Sequence, residues 1–333
     1  MQNLLVTGGC GFLGADFVRF LLAEPGFSGR VVNLDKLTYA GDLRRLSGVA
    51  EQAGGRYVFV HGDICDQEAV PRLLDLHEVD TIVHFAAESH VDRSITSPGD
   101  FVRTNLSGTY VLLQAALASA RNIRVHLVST DEVYGDREGL SDACEDTAMH
   151  PSSPYAATKA GAELLAWAYG RTYGLRLTAS RSSNVFGPFQ HEEKFLPMVM
   201  RNAIRNKPIG LYGDGRNVRQ WLYVNDHSRA VWKILSGARE GRAYNLGSGT
   251  RLTNREAAEA ACDAVDSVLG PSPGGPRRNL IRCVADRPGH DRRYAMDGSR
   301  AECELGFRPE VSFSEGILRS AAWYADNAAL FEA

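Results

Sequence analysis

The stretch NLLVTGGCGFLG, residues 3–14, decides the fold of this chain. It opens on NLLVT, an apolar run typical of a buried strand, and FLG begins an eleven-residue helical pattern, FLGADFVRFLL. The turn between them places Gly8, Gly11 and Gly14 in the pattern GxxGxxG, and Gly9 also completes GxGxxG with the last two. A glycine-rich turn from a strand into a helix is the first unit of a doubly wound α/β fold.

Further short, Val-rich runs come later in the chain, and helical patterns separate them. Val-rich runs of about five residues between helices are typical of a parallel sheet that is covered on both faces. The sequence therefore predicts a Rossmann-like, doubly wound parallel sheet. The predicted strands after the first are VVNLD (31–35), YVFVHGD (57–63), TIVHFAA (81–87) and VHLVST (125–130).

The end of the second predicted strand favours a particular dinucleotide. Asp35 lies 21 residues beyond Gly14, at the position where a carboxylate accepts hydrogen bonds from the ribose hydroxyls of NAD. Its charge would repel the 2′-phosphate of NADP, although the neighbouring Lys36 would soften that repulsion. The alternative is an ordinary strand–helix turn with an incidental Asp after it. We expect NAD.

The pattern changes past about residue 180, where Pro and Gly interrupt it more often. We expect a dinucleotide-binding domain over residues 1–180 and a smaller, mixed domain over residues 181–333. Segments around 218–240, which include WLYV, are expected to return to the first domain.

Composition excludes several classes of protein. A net charge of −3 over 333 residues gives no overall basic field for nucleic acid or an anionic membrane. No apolar run approaches the roughly 20 residues that span a bilayer, and the start, MQNLLVTGG, lacks signal-peptide features. We expect a cytoplasmic protein. The six cysteines form no CxxC pair, so neither a metal site nor disulfides are expected.

Tyr155 and Lys159 form the spacing YxxxK within YAATK, on a predicted helix. Residues four apart lie on one face of a helix, so we expect the ammonium to reach toward the phenol. A free tyrosine has a pKa near 10, and a cation at about 4 Å supplies energy of the order needed to lower it by about three units. The nicotinamide charge would help, and Tyr155 would then act as a general base near neutral pH. Alone, this short spacing is more often a surface feature.

STDEVYG, residues 129–135, places two carboxylates side by side directly after a predicted strand. Successive strand residues point to opposite faces, so Asp131 and Glu132 can face one ligand only if the strand has ended. The alternative is a capping box, Ser129-x-x-Glu132, in which the carboxylate closes back on a helix start. Spacing alone leaves these two interpretations equally weighted.

Long stretches of the chain resemble the dTDP-glucose 4,6-dehydratase family of the extended short-chain dehydrogenase/reductase superfamily. The resemblance implies an NAD-dependent lyase that acts on dTDP-glucose, with Tyr155 as base at C4 and Lys159 supporting it. It also implies that Thr130 contacts a substrate hydroxyl, Asp131 is the acid and Glu132 is the base of a water elimination. The stretches that carry it are TGGCGFLG, VVNLDKLTYAG, HFAAESHVDRS, STDEVYG, SPYAATKAG, YGDGRNVRQWLYVNDH and ADRPGHDRRYA.

The family's binding residues are assigned to matching positions of this sequence. The NAD contacts implied in this way are Gly8, Gly11, Phe12, Leu13, Gly14, Asp35, Lys36, Leu37, Thr38, Asp63, Ile64, Phe85, Ala86, Ala87, Thr104, Tyr155 and Lys159. The substrate contacts are Ser89, Thr130, Asn184, Glu193, Lys194, Phe195, Leu211, Tyr212, Arg219, Asn254, Arg287 and His290.

Particular roles are implied by this resemblance. Arg219 would hold the diphosphate and Tyr212 would stack on the base. The second domain would bind the nucleotide sugar. The family also forms homodimers through two helices per subunit, and residues 101–117 are apolar on more than one face, as such a helix requires.

Two positions depart from the family pattern. Val185 stands where an NAD-contacting amide is usual, and Phe195 stands where Leu is usual. These changes concern cofactor contacts and sugar preference more than reaction type. Two other functions share the fold: a nucleotide-sugar 4-epimerase, which does not need the acidic pair, and a non-catalytic dinucleotide sensor, which does not need Tyr155 and Lys159.

Overall fold

Alternating side chains along the first strand explain why helices cover both faces of the sheet. Leu4 and Val6 pack into one apolar core with Phe17 of the first helix, whereas Leu5 packs into a second core on the opposite face with Leu112. Successive strand residues point to opposite faces, so one apolar run supplies both cores. The computed structural model describes residues 1–331.

In residues 1–331, twelve strands form three sheets. Seven parallel strands form the main sheet in the order β10-β6-β5-β4-β1-β2-β3, which confirms the predicted doubly wound fold. The strand order reverses between β1 and β4, and in open α/β sheets ligands bind in the crevice at such a point. The strands are β1 (Asn3–Thr7), β2 (Arg30–Asp35), β3 (Tyr57–His61), β4 (Thr81–His84), β5 (Arg124–Thr130), β6 (Arg176–Ser182), β7 (Asn184–Phe186), β8 (Ile209–Tyr212), β9 (Val218–Tyr223), β10 (Arg242–Leu246), β11 (Arg251–Thr253) and β12 (Ile281–Val284).

The helices include one π-helical segment, Val102–Gly108, which continues directly into an α-helix. Short 3-10 turns occur at Leu43–Leu46, Asp131–Tyr134, Arg277–Leu280 and Ala328–Phe331. The α-helices are α1 (Phe12–Ala23), α2 (Val49–Gln52), α3 (Ala69–Leu76), α4 (Val91–Thr96), α5 (Pro98–Phe101), α6 (Thr109–Ala118), α7 (Pro154–Tyr173), α8 (Phe195–Ile204), α9 (Val224–Gly237), α10 (Asn254–Leu269), α11 (Ser299–Leu305) and α12 (Phe313–Asp326).

The later part of the chain contributes to both halves of the molecule. WLYV, residues 221–224, does not join the main sheet, because β9 pairs with β7 and β11 in a separate three-stranded sheet. Helix α9 packs against α1 instead, and β10 adds an edge strand to the main sheet. The core of the smaller half lies between β9, α8, α10 and α12, and β8 pairs with β12 beside it. Residues 332–333 of the expected second domain lie outside the described part of the chain.

The described helices include none with the length and apolar character needed to cross a membrane.

Candidate active site

A continuous cleft crosses the C-terminal ends of the main-sheet strands. Its first part lies beside Asp35, its middle part lies over the glycine turn and Tyr155, and its third part lies beneath Arg219. The first two parts share Gly8, and the middle and third parts share Glu132. The carboxylate of Glu132 therefore stands at the boundary between the middle and third parts of the cleft.

The glycine turn packs too tightly for side chains. Gly8 has φ +70°, and a Cβ there would lie 2.6 Å from the Ala86 Cα atom. A Cβ on Gly14 would lie 2.3 Å from the Gly8 carbonyl oxygen. The next helix, α1, starts at Phe12 with no side-chain cap and no acidic residue in its first turn. Its N–H groups and positive dipole end therefore suit a pyrophosphate.

The end of β2 suits the adenosine ribose of NAD. Asp35 is mostly buried, and its two carboxylate oxygens accept hydrogen bonds from the N–H groups of Cys10 and Leu37, both at 2.8 Å. Each oxygen keeps lone pairs for a ribose hydroxyl. Lys36 is not free beside it, since its ammonium pairs with Asp63 at 2.9 Å, as Arg103 does at 2.8 Å. The residues present thus fit NAD, and the nearby cations Lys36 and Arg103 are held by another carboxylate.

Almost all the residues assigned to the cofactor line this cleft. Leu37 is the exception, and its side chain packs against the apolar core that contains Phe17. The others are Gly8, Gly11, Phe12, Leu13, Gly14, Asp35, Lys36, Thr38, Asp63, Ile64, Phe85, Ala86, Ala87, Thr104, Tyr155 and Lys159.

Tyr155 and Lys159 lie on one face of α7 and both line the middle of the cleft. The Lys159 ammonium donates to the Val128 carbonyl at 2.6 Å, and burial lowers its pKa to about 8. Burial raises the pKa of Tyr155, the charges of Glu132 and Asp131 raise it further, and the Thr130 hydroxyl opposes them. That Lys159, helped by the nicotinamide charge, lowers the pKa of Tyr155 stays a prediction, because in the protein alone burial dominates and the ammonium is bonded to the main chain.

The acidic pair lies on a 3-10 turn that ends β5. Thr130 begins this turn, and its hydroxyl accepts from the Glu132 N–H at 3.3 Å. The predicted alternative, a capping box from Ser129 to Glu132, is wrong: Glu132 Oε2 and Ser129 Oγ are buried and have no hydrogen-bond partner among the described residues. Asp131 Oδ2 is also buried without a hydrogen-bond partner among the described residues. Buried carboxylate oxygens without partners are costly, so this arrangement indicates a binding or catalytic role.

The two carboxyl groups differ in electrostatic surroundings. Burial raises the pKa of Asp131 to about 8, with the adjacent Glu132 contributing to the rise. Burial also raises the pKa of Glu132, but Arg287, Arg219 and Lys194 offset part of that rise. The raised pKa suits Asp131 to hold a proton, and although Arg219 acts on both groups, Arg287 and Lys194 favour the carboxylate of Glu132.

The third part of the cleft is polar and cationic. Arg219 is buried, stacks over the Tyr294 ring at 4.2 Å and donates to the Asp291 carbonyl at 2.9 Å. Lys194 donates to the Ser89 carbonyl at 2.7 Å. Every residue assigned to the substrate lines the cleft: Thr130 the middle part, and Ser89, Asn184, Glu193, Lys194, Phe195, Leu211, Tyr212, Arg219, Asn254, Arg287 and His290 the third.

Several lining residues were missed from the sequence. Trp221 lies beside Phe195 with the rings stacked at 6.3 Å, and Asp92 accepts from Arg287 at 3.3 Å and from the Tyr212 hydroxyl at 3.1 Å. Val185 is one of the two positions that depart from the family pattern. Its carbonyl accepts a hydrogen bond from the Gln190 side-chain amide at 2.9 Å, and both residues line the cleft. The missed residues of the third part are His90, Val91, Asp92, Met198, Gly210, Trp221, Val284 and Tyr294.

Comparison with known proteins agrees with this geometry. A family described as GDP-mannose 4,6 dehydratase matches residues 5–319. A dTDP-glucose 4,6-dehydratase from Streptomyces niveus is 46% identical, over 99% of this chain and 95% of its own length. The chain belongs to the dTDP-glucose 4,6-dehydratase family.

Solved structures extend the comparison with this family. A dTDP-glucose 4,6-dehydratase from Streptomyces venezuelae, solved with NAD and dTDP bound, has a TM-score of 0.91 and 46% identity, covering 99% of both chains. A UDP-glucose 4-epimerase from Thermus thermophilus, solved with NAD, has a TM-score of 0.85 and 29% identity, covering 97% of this chain and 99% of its own. The fold is thus shared with epimerases, and the dehydratase is the more similar in sequence.

Proposed function

We propose that this protein is an NAD-dependent hydro-lyase that converts dTDP-glucose to dTDP-4-keto-6-deoxyglucose. One observation carries the proposal. Asp131 is buried and the adjacent Glu132 is partly buried, and each has a buried carboxylate oxygen that lacks a partner among the described residues, in the cleft that Tyr155 and Lys159 also line. Family membership supports the same reaction.

The first step is oxidation at C4 of the hexose. Tyr155 removes the proton of the C4 hydroxyl, while Thr130 holds that hydroxyl in place. Lys159 contributes a positive charge on the same helix face as Tyr155. NAD held in this cleft would supply the hydride acceptor for C4 and the hydride donor for C6, and its positive ring charge would lower the pKa of Tyr155. The glycine turn and Asp35 position the cofactor for this exchange.

The second step is loss of water between C5 and C6. The C4 ketone acidifies the C5 hydrogen, and Glu132 removes it as a proton. Asp131 gives its proton to the departing C6 hydroxyl, so water leaves and a C5–C6 double bond forms. When the hydride returns to C6, C5 takes a proton back. The raised pKa of Asp131 suits the acid, and the cations near Glu132 suit the base.

The third part of the cleft would hold the nucleotide diphosphate. Arg219 and Arg287 both line this part, and their guanidinium groups can offer paired donors to a diphosphate. Tyr212 lies edge-on to His290, with ring centroids 6.1 Å apart, and is partly exposed. We assign it to stacking on the base. By this assignment residues 1–180 mainly bind NAD and residues 181–333 mainly bind the nucleotide sugar.

We also propose that the protein forms a homodimer and that it is located in the cytoplasm. Large apolar side chains are exposed on two adjacent helical segments, which suits a helix-pair interface: Val102 and Tyr110 on one, Leu164 and Tyr173 on the other. The six cysteines are free thiols, which suits a reducing compartment.

One experiment tests the reaction. The protein is incubated with dTDP-glucose in heavy water, and the product mass is measured over time. A dehydratase removes one water and introduces one deuterium at C5. Unchanged mass with inverted C4 would show an epimerase, and unreacted sugar would show a dinucleotide sensor; either result would refute the proposal. Parallel incubations with UDP-, GDP- and CDP-glucose test the choice of base.

A further inference from the structure

A buried polar network lies directly beneath the acidic turn. Tyr134 closes that turn, and its hydroxyl donates to Asn245 Oδ1 at 2.7 Å and accepts from Arg181 Nη1 at 2.6 Å. Arg181 Nη2 donates to the Glu163 carboxylate at 2.6 Å, and Arg181 Nη1 also donates to the Glu145 carbonyl at 2.8 Å. The network lines no part of the cleft described above.

The network joins the two halves of the proposed chemistry. Glu163 lies four residues after Lys159 and eight after Tyr155 on α7, so all three share one helix face. Tyr134 lies two residues after Glu132 on the turn. Arg181, on β6, therefore connects the helix of the oxidising pair to the turn of the eliminating pair.

Burial makes this connection stiff. The side chains of Arg181 and Glu163 are 5% and 1% exposed, and Tyr134 and Asn245 are also buried. The guanidinium group satisfies three partners in a fixed plane, which an ammonium cannot reproduce. A core stabilised only by packing would not need a hydroxyl at Tyr134.

We propose that Arg181, acting through Tyr134, is a positioning residue that holds the Asp131–Glu132 turn in register with Tyr155 and Lys159. This inference rests on the proposed function. It predicts that loosening the network slows the elimination and spares the oxidation, because the acidic turn moves while α7 keeps its place and Thr130 stays paired in the β5–β6 ladder.

The test uses Tyr134→Phe, which removes one hydroxyl and keeps the ring. The matched control is Tyr244→Phe: Tyr244 is also buried, and its hydroxyl donates to Glu304 Oε2 at 2.9 Å, away from the turn. Reduction of bound NAD by dTDP-glucose is measured by absorbance, and water loss by product mass. For Tyr134→Phe we expect reduction within about threefold of wild type and water loss slowed about tenfold to a hundredfold. The control should change neither.

A second variant tests the arginine itself. Arg181→Lys keeps a positive charge against Glu163 but loses the fork that also reaches Tyr134. If both residues act through one connection, the double variant should be no slower in water loss than the slower single variant. Additive losses would overturn the connection. Equal slowing of reduction and water loss in Tyr134→Phe, or behaviour like the control, would overturn the positioning role.

Amide hydrogen exchange separates this inference from the proposed function. The peptide covering residues 129–135 should take up deuterium faster in Tyr134→Phe and at the wild-type rate in Tyr244→Phe. A wild-type protein that loses no water from dTDP-glucose would refute the proposed function. The exchange rates would still test whether Tyr134 holds the acidic turn in place. Unchanged exchange in Tyr134→Phe would refute that role whether or not the wild-type protein loses water from dTDP-glucose.

Discussion

STDE at residues 129–132 and TNRE at residues 253–256 share one spacing, and the molecule uses them in opposite ways. In the second, Thr253 Oγ1 accepts from the Glu256 N–H at 3.1 Å, and Glu256 Oε2 accepts from the Thr253 N–H at 2.8 Å. That is a complete capping box at the start of α10. In STDE, the Glu132 Oε2 atom has no hydrogen-bond partner among the described residues, and Glu132 lines the cleft.

The two stretches differ in the element that each one opens. TNRE opens a sixteen-residue amphipathic helix, whose first N–H groups need acceptors. STDE ends a buried parallel strand and opens a single 3-10 turn, so its carboxylates lie where ligands bind. Glu256 completes a capping box, whereas Glu132 keeps a buried oxygen without a hydrogen-bond partner among the described residues. An acidic group in that condition is typical of a functional site.

The largest expected effect comes from making the same change in both stretches. Glu132→Gln should lower the rate of water loss by about 10² to 10⁴, because it removes the base for C5. Glu256→Gln should leave turnover unchanged, since Gln also serves in a capping box and Glu256 itself does not line the cleft. Steady-state assays of product formation measure both. Equal rates for the two variants would contradict the contrast between the stretches.

The pH dependence should show the next largest effect. Burial raises the pKa of Asp131 to about 8, so the acid is protonated below that pH and loses its proton above it. Turnover should therefore fall by about tenfold per pH unit above 8. The residual activity of Asp131→Asn should fall less steeply, retaining only the effect of Lys159, whose pKa is also about 8. A wild-type rate that stays flat up to about pH 10 would show that Asp131 is not the acid.

Substitutions at the two glutamates should change the free energy of unfolding in opposite directions, and these effects should be smaller than the effects on turnover. Glu256→Ala should lower the free energy of unfolding by about 1 kcal/mol, because the box loses one partner. Glu132 has a raised folded-state pKa, so its contribution to stability is fully present at low pH and is lost as pH rises from about 4.5. Glu132→Gln should therefore be more stable than wild type at pH 8 and similarly stable at pH 4.

Denaturant titrations at both pH values measure these changes. The matched control is Glu256→Ala, whose effect has the opposite sign at pH 8. A lower midpoint for Glu132→Gln at pH 8 would mean that its carboxylate stabilises the fold after all.

Much of the fold and site could be predicted because their signals are local. The strand at residues 3–7 and the order strand, glycine turn, helix and Asp35 are set by neighbouring residues and by sterics that a short window reveals. YxxxK shows its geometry through helix periodicity alone. Spacing leaves the choice between cap and catalyst at Glu132 open, because it cannot tell whether a long helix begins there.

The features that could not be predicted depend on contacts between distant segments. Trp221 and Tyr294 enter the cleft only when β9 pairs with β7 rather than with the main sheet. Lys159 lies close to Tyr155 in sequence, yet its ammonium bonds to Val128, 31 residues earlier on the neighbouring strand. Lys36 is adjacent to Asp35 in sequence, and only folding shows that Asp63 holds it.

The most direct test of the acidic pair is a single turnover of Glu132→Gln with dTDP-glucose, recording NAD reduction and water loss in the same sample. Oxidation needs Tyr155 and Lys159 but not this carboxylate, so reduced NAD should accumulate while the sugar keeps all its water. If the variant loses water at the wild-type rate, or fails to reduce NAD at all, Glu132 does not have the separate role in elimination that its place in the cleft indicates.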